Sequence, residues 1–330
     1  MQALRALPDD PEALAQSVSE RDCSAVAKAL NLLDDKRPDA RQRAARLIAA
    51  LPKQRLHNSG HLVGLTGPPG VGKSSLTAAL VRVWRKRGLT VGILAVDPSS
   101  PISGGALLGD RLRMLSGGLD ASVFIRSLAC RGEFGGLSAE VWPMSLVMLA
   151  AFDIVLVETV GVGQKEIDVS KLTDTTCFVA QPASGDSIQF LKAGIMEIPH
   201  VLVVNKADVG IAARKTLSEL RATLQPPCHA EDWRVPALAA SATMGTGIEA
   251  LADSLEAHRT WLVAHGLLAP VRQRFQAEWI IKRLFEEFGR FGIETLGGQS
   301  RLLSSLVEAQ CPPFEQYEAL RHRLLGRWRE

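Results

Sequence analysis

Apolar side chains recur at helix-like spacing through the first sixty residues, at Leu4, Leu14, Val18, Val26, Leu30, Leu33, Ala44, Ile48 and Leu51. Charged residues lie between them, and Pro52 ends the run. Positions three and four apart share one face of a helix, so residues 1–60 are predicted to form a helical extension. At residue 61 the period changes. Residues 61–66, His-Leu-Val-Gly-Leu-Thr, are a short apolar run; a glycine-rich turn follows, then an amphipathic helical pattern over 73–87 that Gly88 ends. Further apolar runs occupy 90–96, 123–126, 153–158, 175–180, 201–205 and 235–240, with helical stretches between most of them. Continuous apolar strands separated by helices predict an α/β fold, a mostly parallel sheet covered on both faces. Beyond Ser241 no run reads as a strand. Residues 247–265 and 270–288 are predicted helices, Gly297-Gly298 breaks the chain, and 314–328 is predicted as the last helix. The expected division is 1–60, 61–265 and 266–330.

Composition narrows the function classes. Lysine and arginine total 38 against 35 acidic residues, a net charge of +3. That balance supplies no electrostatic argument for nucleic acid or an anionic membrane, and neither is expected as a partner. The basic residues Arg321, His322, Arg323, Arg327 and Arg329 read as a solvated helix end. The five cysteines, Cys23, Cys130, Cys177, Cys228 and Cys311, are scattered and never spaced as C-x-x-C, which suits a reducing compartment. Residues 1–20 are acidic without an uninterrupted apolar stretch, and no apolar run approaches the roughly 18 residues a membrane span needs, so the cytoplasm is the expected location.

The chemistry concentrates at the ends of the predicted strands. Gly67-Pro68-Pro69-Gly70-Val71-Gly72-Lys73-Ser74, followed by Ser75, fits G-x-x-x-x-G-K-[ST] between a strand and a helix. Glycines there let backbone N–H groups converge on phosphate oxygens, and the helix N-terminus adds partial positive charge. Lys73 is expected to reach the β- and γ-phosphates and Ser74 to ligate magnesium. Asn205-Lys206-Ala207-Asp208 follows the apolar run 201–204. An aspartate at that strand end can accept from guanine N1 and N2, which adenine cannot offer, while Lys206 covers the base and Asn205 ties the loops together. Ser241-Ala242-Thr243 follows the next strand, where a backbone N–H can meet guanine O6. GTP or GDP, with Mg2+, is therefore the expected ligand at the strands' carboxyl ends. The run 153–158 ends in Glu158 ahead of Thr159-Val160-Gly161, where a carboxylate serves magnesium and the glycine senses the γ-phosphate. Asp97, in Asp97-Pro98-Ser99-Ser100, and Asp110, in Gly109-Asp110-Arg111, are further carboxylate candidates. Lys73 and Glu158 are the expected catalytic pair.

Taken together, G-P-P-G-V-G-K-S-S, A-V-D-P-S-S, G-G-A-L-L-G-D, F-I-R-S, E-T-V-G-V-G-Q and V-V-N-K-A-D resemble the MeaB/ArgK family. Its members are G-protein chaperones of adenosylcobalamin-dependent acyl-CoA mutases. The resemblance covers essentially the whole chain and accounts for Glu158 where most GTPases carry aspartate. It implies that Ser74, Asp97, Asp110 and Glu158 occupy the magnesium-site positions. It also implies that 97–113 is switch I, 158–166 switch II, and 181–195, with Ser184-Gly185-Asp186, an extra switch toward the mutase. The implied architecture is a P-loop GTPase domain with a helical N-terminal extension and a C-terminal helical arm that makes a homodimer. The implied task is to gate cofactor loading and to protect or reactivate the mutase. Two departures stand out: Lys165 replaces a small serine, and Gln181-Pro182-Ala183 replaces Leu-Pro-Gly. Three other readings use the same loop: a nickel or cobalt insertion GTPase, an ATP-dependent small-molecule kinase, and a non-hydrolysing scaffold. The dispersed histidines, the guanine-type loop, and the presence of Lys73, Ser74 and Glu158 respectively weigh against them.

Overall fold

A computed structural model describes residues 7–98, 122–130, 138–159, 169–182, 199–224, 229, 231–309 and 311–327; the side chains of residues 57, 97, 98, 129, 130 and 327 lie outside the description. In chain order its elements begin with α1 (Pro11–Ser19), α2 (Cys23–Asp34), α3 (Pro38–Ala50), α4 (Lys53–Asn58), β1 (His61–Thr66), α5 (Lys73–Lys86), β2 (Val91–Pro98), β3 (Val123–Cys130) and α6 (Val141–Ala151). They continue with β4 (Ile154–Thr159), β5 (Thr175–Ala180), β6 (Val201–Val204), α7 (Ile211–Thr223), β7 (Ala237–Ala239), α8 (Ile248–Ala264), α9 (Leu268–Thr295), α10 (Gln299–Glu308) and α11 (Pro313–Arg327). The chain divides into two compact units, one of residues 1–58, 139–151 and 266–330, the other of residues 59–138 and 152–265.

The first unit is helical. Asp10 caps α1 by accepting from the Ala13 N–H ahead of Pro11, and Asp22 caps α2 by accepting from Ser24 and Ala25. Both follow the preference for a short acidic side chain, or a proline one step later, at a helix start. The apolar stripe that predicts these helices is the buried one: Leu14, Val18, Val26, Leu30, Ala44, Ile48 and Leu51 are all in the core. Helix α6 is apolar around its circumference apart from Ser145, and every residue but the half-buried Leu146 is buried. In α9, Trp279 stacks on Trp142 at 4.7 Å, and its indole N–H donates to the Ala139 carbonyl at 2.8 Å. The predicted end of that helix near Phe288 is overtaken: at Gly289 the backbone turns to φ 65°, ψ −166°, and helix resumes to Thr295. Only glycine makes that turn without strain. A further helix, α10, occupies a stretch for which none was predicted.

Among the described residues the second unit carries a seven-stranded sheet in the order β3-β2-β4-β1-β5-β6-β7, every neighbouring pair parallel. Every residue of β1, β4, β5 and β6 is buried, which is why these strands read as unbroken apolar runs. Strand β3 outlasts its predicted end at 126 because it pairs with the full length of β2, from Val91↔Val123 to Pro98↔Cys130. Strand β7 is shorter than predicted, since only Ala237–Ala239 pair with β6. Leu76, Leu80 and Trp84 of α5 and Leu251 and Leu255 of α8 pack with the strands in one continuous core.

At the amino ends of these strands lies a buried polar cluster. The Thr175 hydroxyl, opening β5, sits 2.7 Å from His61 Nε2 and 2.8 Å from His258 Nδ1. His200 stacks on His258 at 4.1 Å, and its Nδ1 accepts from the Thr176 N–H at 2.9 Å. Trp233 closes the side of the cluster, edge-on to His258 at 4.8 Å. Burial, then the neighbouring rings of His200 and His61, push His258 down to about 2. Burial likewise pushes His200 down to about 4, against the opposing charge of Asp174.

Candidate nucleotide site

The loop after β1 is shaped by two glycines whose backbones no other residue would tolerate. Gly67 has φ 140°, and a Cβ there would meet the Val179 carbonyl oxygen. Gly72 has φ 89°, and its Cβ would lie 2.6 Å from Asn205 Nδ2. The loop is thus pressed against β5 and against the loop after β6, and it opens α5 at Lys73. Lys73 is 7% exposed, and its ammonium donates to the Gly67 carbonyl at 2.6 Å and the Pro68 carbonyl at 2.9 Å. It therefore folds back over the loop it belongs to. Val71 is buried, whereas Pro69, Gly70 and Ser75 are exposed.

One helical turn separates Ser74 from Thr77, so both face the end of β4. Glu158, 4% exposed, stands there between β1 and β2, paired in register with Leu65 and Ala95. Ser74 Oγ lies 2.5 Å from Glu158 Oε1, and Thr77 Oγ1 donates to Oε2 at 2.9 Å. Two hard oxygen donors, a hydroxyl and a carboxylate, meet at the start of the helix beside the phosphate loop. That donor set fits magnesium.

The loop after β6 holds the phosphate loop directly. Asn205, 2% exposed, donates from Nδ2 to the Val71 carbonyl at 2.9 Å, while its Oδ1 accepts from the Ala242 N–H at 3.2 Å. Lys206 takes the left-handed conformation, φ 57°, and its ammonium reaches the Gly70 carbonyl at 2.7 Å and Gln181 Oε1 at 3.2 Å. Ser241 Oγ donates to Asp208 Oδ1 at 2.5 Å and also lies 3.1 Å from Thr243 Oγ1. Residues 67–75, 205–208 and 241–243 are therefore gathered at the carboxyl ends of β1, β5, β6 and β7, with Glu158 beside them. Asp97 is the penultimate residue of β2, two positions beyond the partner of Glu158, and its side chain is outside the description. Asp110 is outside it altogether, as are residues 99–113 of the expected first switch, 160–166 of the second and 183–195 of the third, with Lys165, Ala183, Ser184, Gly185 and Asp186. Thr77 belongs to no motif and is missing from the site expected from sequence; its spacing of three from Ser74 is the signal that could have found it.

A phosphate-type loop on the central strand of a parallel sheet, fastened to an Asn-Lys-x-Asp loop, defines a P-loop GTPase. The family model for the methylmalonyl-CoA mutase-associated GTPase MeaB matches residues 26–290, and the chain belongs to that family. It is 38% identical over 313 residues to a Pyrococcus abyssi protein named as a GTPase, covering 93% of this chain and 90% of that one. It is 35% identical over 271 residues to the GTPase ArgK of Escherichia coli, covering 79% and 80%. It is 34% identical over 267 residues to the mitochondrial methylmalonic aciduria type A homolog of Mus musculus, covering 77% of this chain and 64% of that protein. Among solved structures, one described as a LAO/AO transport system kinase shares the fold, with TM-score 0.67 and 24% identity over 96% of this chain and all of that one. The chain is a GTPase, with the parallel sheet and flanking helices its sequence predicts. Among the described residues no helix is long and apolar enough to cross a membrane.

Proposed function

We propose that this GTPase is a magnesium-dependent chaperone of an adenosylcobalamin-dependent acyl-CoA mutase, gating cofactor loading and protecting or reactivating its client. The observation that carries the proposal is the match of residues 26–290 to a family described by its association with methylmalonyl-CoA mutase. The mouse relative, named for methylmalonic aciduria, supports the same direction.

The site's own residues supply the means. Backbone N–H groups of residues 70–75 and the N-terminus of α5 receive the phosphates. The Lys73 ammonium, resting on the Gly67 and Pro68 carbonyls, is within its own loop of the β- and γ-phosphate positions. Asp208 accepts from the guanine edge, the Lys206 stem covers the base, and the Ala242–Thr243 turn meets O6. Ser74 and Glu158 would hold Mg2+, with Asp97 and Asp110 as the further carboxylates, and the ion would supply positive charge against the phosphates. The same proposal includes a homodimer made through the C-terminal helices. Of the apolar residues in that region, Leu284, Phe288 and Leu302 are buried within one chain, leaving Phe285 (54% exposed) and Phe291 (66% exposed) for a partner.

The deciding experiment measures GTP turnover by the full chain with and without purified cobalamin-dependent acyl-CoA mutases, alongside co-sedimentation. Binding and stimulated hydrolysis by at least one mutase is expected. Failure of every mutase both to bind and to stimulate overturns the chaperone reading and leaves the GTPase standing.

A further inference from the structure

The carboxylate at the end of β4 is a glutamate, one methylene longer than aspartate, and that extra torsion lets its head sweep an arc instead of holding one place. What fixes it here is a residue outside the phosphate-loop motif. Thr77 is fully buried on α5, and its hydroxyl donates to Glu158 Oε2 at 2.9 Å while Ser74 meets Oε1 at 2.5 Å. Ser74 and Thr77 are three residues apart on one helix, so the two oxygens of Glu158 are gripped at two points on a single rigid face. A carboxylate accepts only, so the Thr77 hydroxyl must spend its proton on Oε2. That leaves Oε1, beside the Ser74 oxygen, as the oxygen turned toward the start of the helix.

We propose that Thr77 is a positioning residue for the magnesium-bearing carboxylate. By holding Oε2 it presents Oε1 in register with the Ser74 hydroxyl, so that the serine and glutamate oxygens are set in place before the ion arrives. This rests on the assignment of Ser74 and Glu158 to magnesium. Partners of this kind, one step removed from a ligand, characteristically change ion affinity about 10–100-fold when removed.

The test uses the full chain and a fluorescent GDP analogue, titrated without magnesium and then across magnesium concentrations, for wild type, Thr77→Val and Thr77→Ser. Valine keeps the shape and removes the hydroxyl; serine restores it. Thr77→Val is expected to raise the magnesium concentration for half-maximal tightening about tenfold, with affinity in the absence of magnesium unchanged within about twofold. Thr77→Ser should return toward wild type. In a Glu158→Ala background the valine substitution should add nothing, because its effect runs through that carboxylate. An unchanged magnesium midpoint in a folded Thr77→Val protein, with only its melting temperature lowered, overturns the proposal and leaves Thr77 a packing residue. An equal loss with and without magnesium also overturns it, since the defect would then be in the loop. A wild-type chain that binds the analogue without any magnesium dependence removes the magnesium assignment itself, and the proposal with it.

Discussion

Acidification should destabilise the sheet unit through the histidine cluster at the amino ends of its strands. His258, 1% exposed, is held neutral by burial and by the adjacent rings of His200 and His61, so its pKa falls to about 2 in the folded chain. In the unfolded chain it returns to about 6.5. Below that value the unfolded state takes up a proton that the folded state refuses, so stability is intact above pH 6.5 and declines as pH falls toward the folded pKa. The slope approaches about 1.4 kcal/mol per pH unit for each such proton, which makes about 2 kcal/mol between pH 7.5 and pH 5 from His258. His200, at about 4, adds a comparable amount in the same window, because at pH 5 its folded ring also still refuses the proton. Geometry gives the same direction. The single Thr175 hydroxyl proton serves one ring nitrogen while its oxygen accepts from the other, and His200 Nδ1 must keep its lone pair for the Thr176 N–H. Urea unfolding at half-unit steps from pH 7.5 to 5, followed by tryptophan fluorescence, measures the effect; Trp233 and Trp261 flank His258. Ordinary carboxylates titrate mostly below that range. His258→Gln should be less stable at pH 7.5 yet visibly flatter in its pH dependence. A wild-type stability constant to within about 0.5 kcal/mol over this range, or an identical slope in the variant, would refute the reasoning.

Asp208→Asn should weaken GTP binding by about 2–3 kcal/mol, the worth of a hydrogen bond to a charged acceptor, and gain binding of xanthosine triphosphate; parallel titrations with both nucleotides check it. Lys73→Ala should lower turnover by at least about 100-fold while far-ultraviolet circular dichroism stays unchanged, since what is lost is charge aimed at phosphate. Gly67→Ala should abolish nucleotide binding and lower the melting temperature, whereas Gly70→Ala, whose Cβ meets nothing within 4 Å, should be the milder change. Phe285→Asp with Phe291→Asp should yield a monomer by light scattering; a dimer that persists in the double variant would place the contact elsewhere.

The strands of the sheet were legible because those buried on both faces leave no room for polar alternation: residues 61–66 and 175–180 begin and end where the apolar runs do. Where pairing with a neighbour sets the limit, sequence is silent, which is why β3 runs past residue 126 and β7 stops at Ala239. Helix α6 has no polar face for periodicity to find, and α9 passes through a glycine that local pattern reads as an end. The loops that gather at the candidate nucleotide site were legible because each motif is contiguous in the chain. Thr77 and the histidines were not. The first looks like any residue of a helix core, and His61, Thr175 and His258 meet only after β1, β5 and α8 have assembled.

Asn205 has a consequence for how the two ends of a nucleotide are read. Its one amide spans from Val71 in the phosphate loop to Ala242 in the loop proposed to meet the base, so the two loops are tied to each other before either meets a ligand. Guanosine and a bare triphosphate, offered as separate fragments, should each stiffen the region that receives the other and so bind with positive linkage. By the same linkage, a triphosphate joined to the wrong base meets a looser phosphate loop, and discrimination against it extends from affinity into turnover.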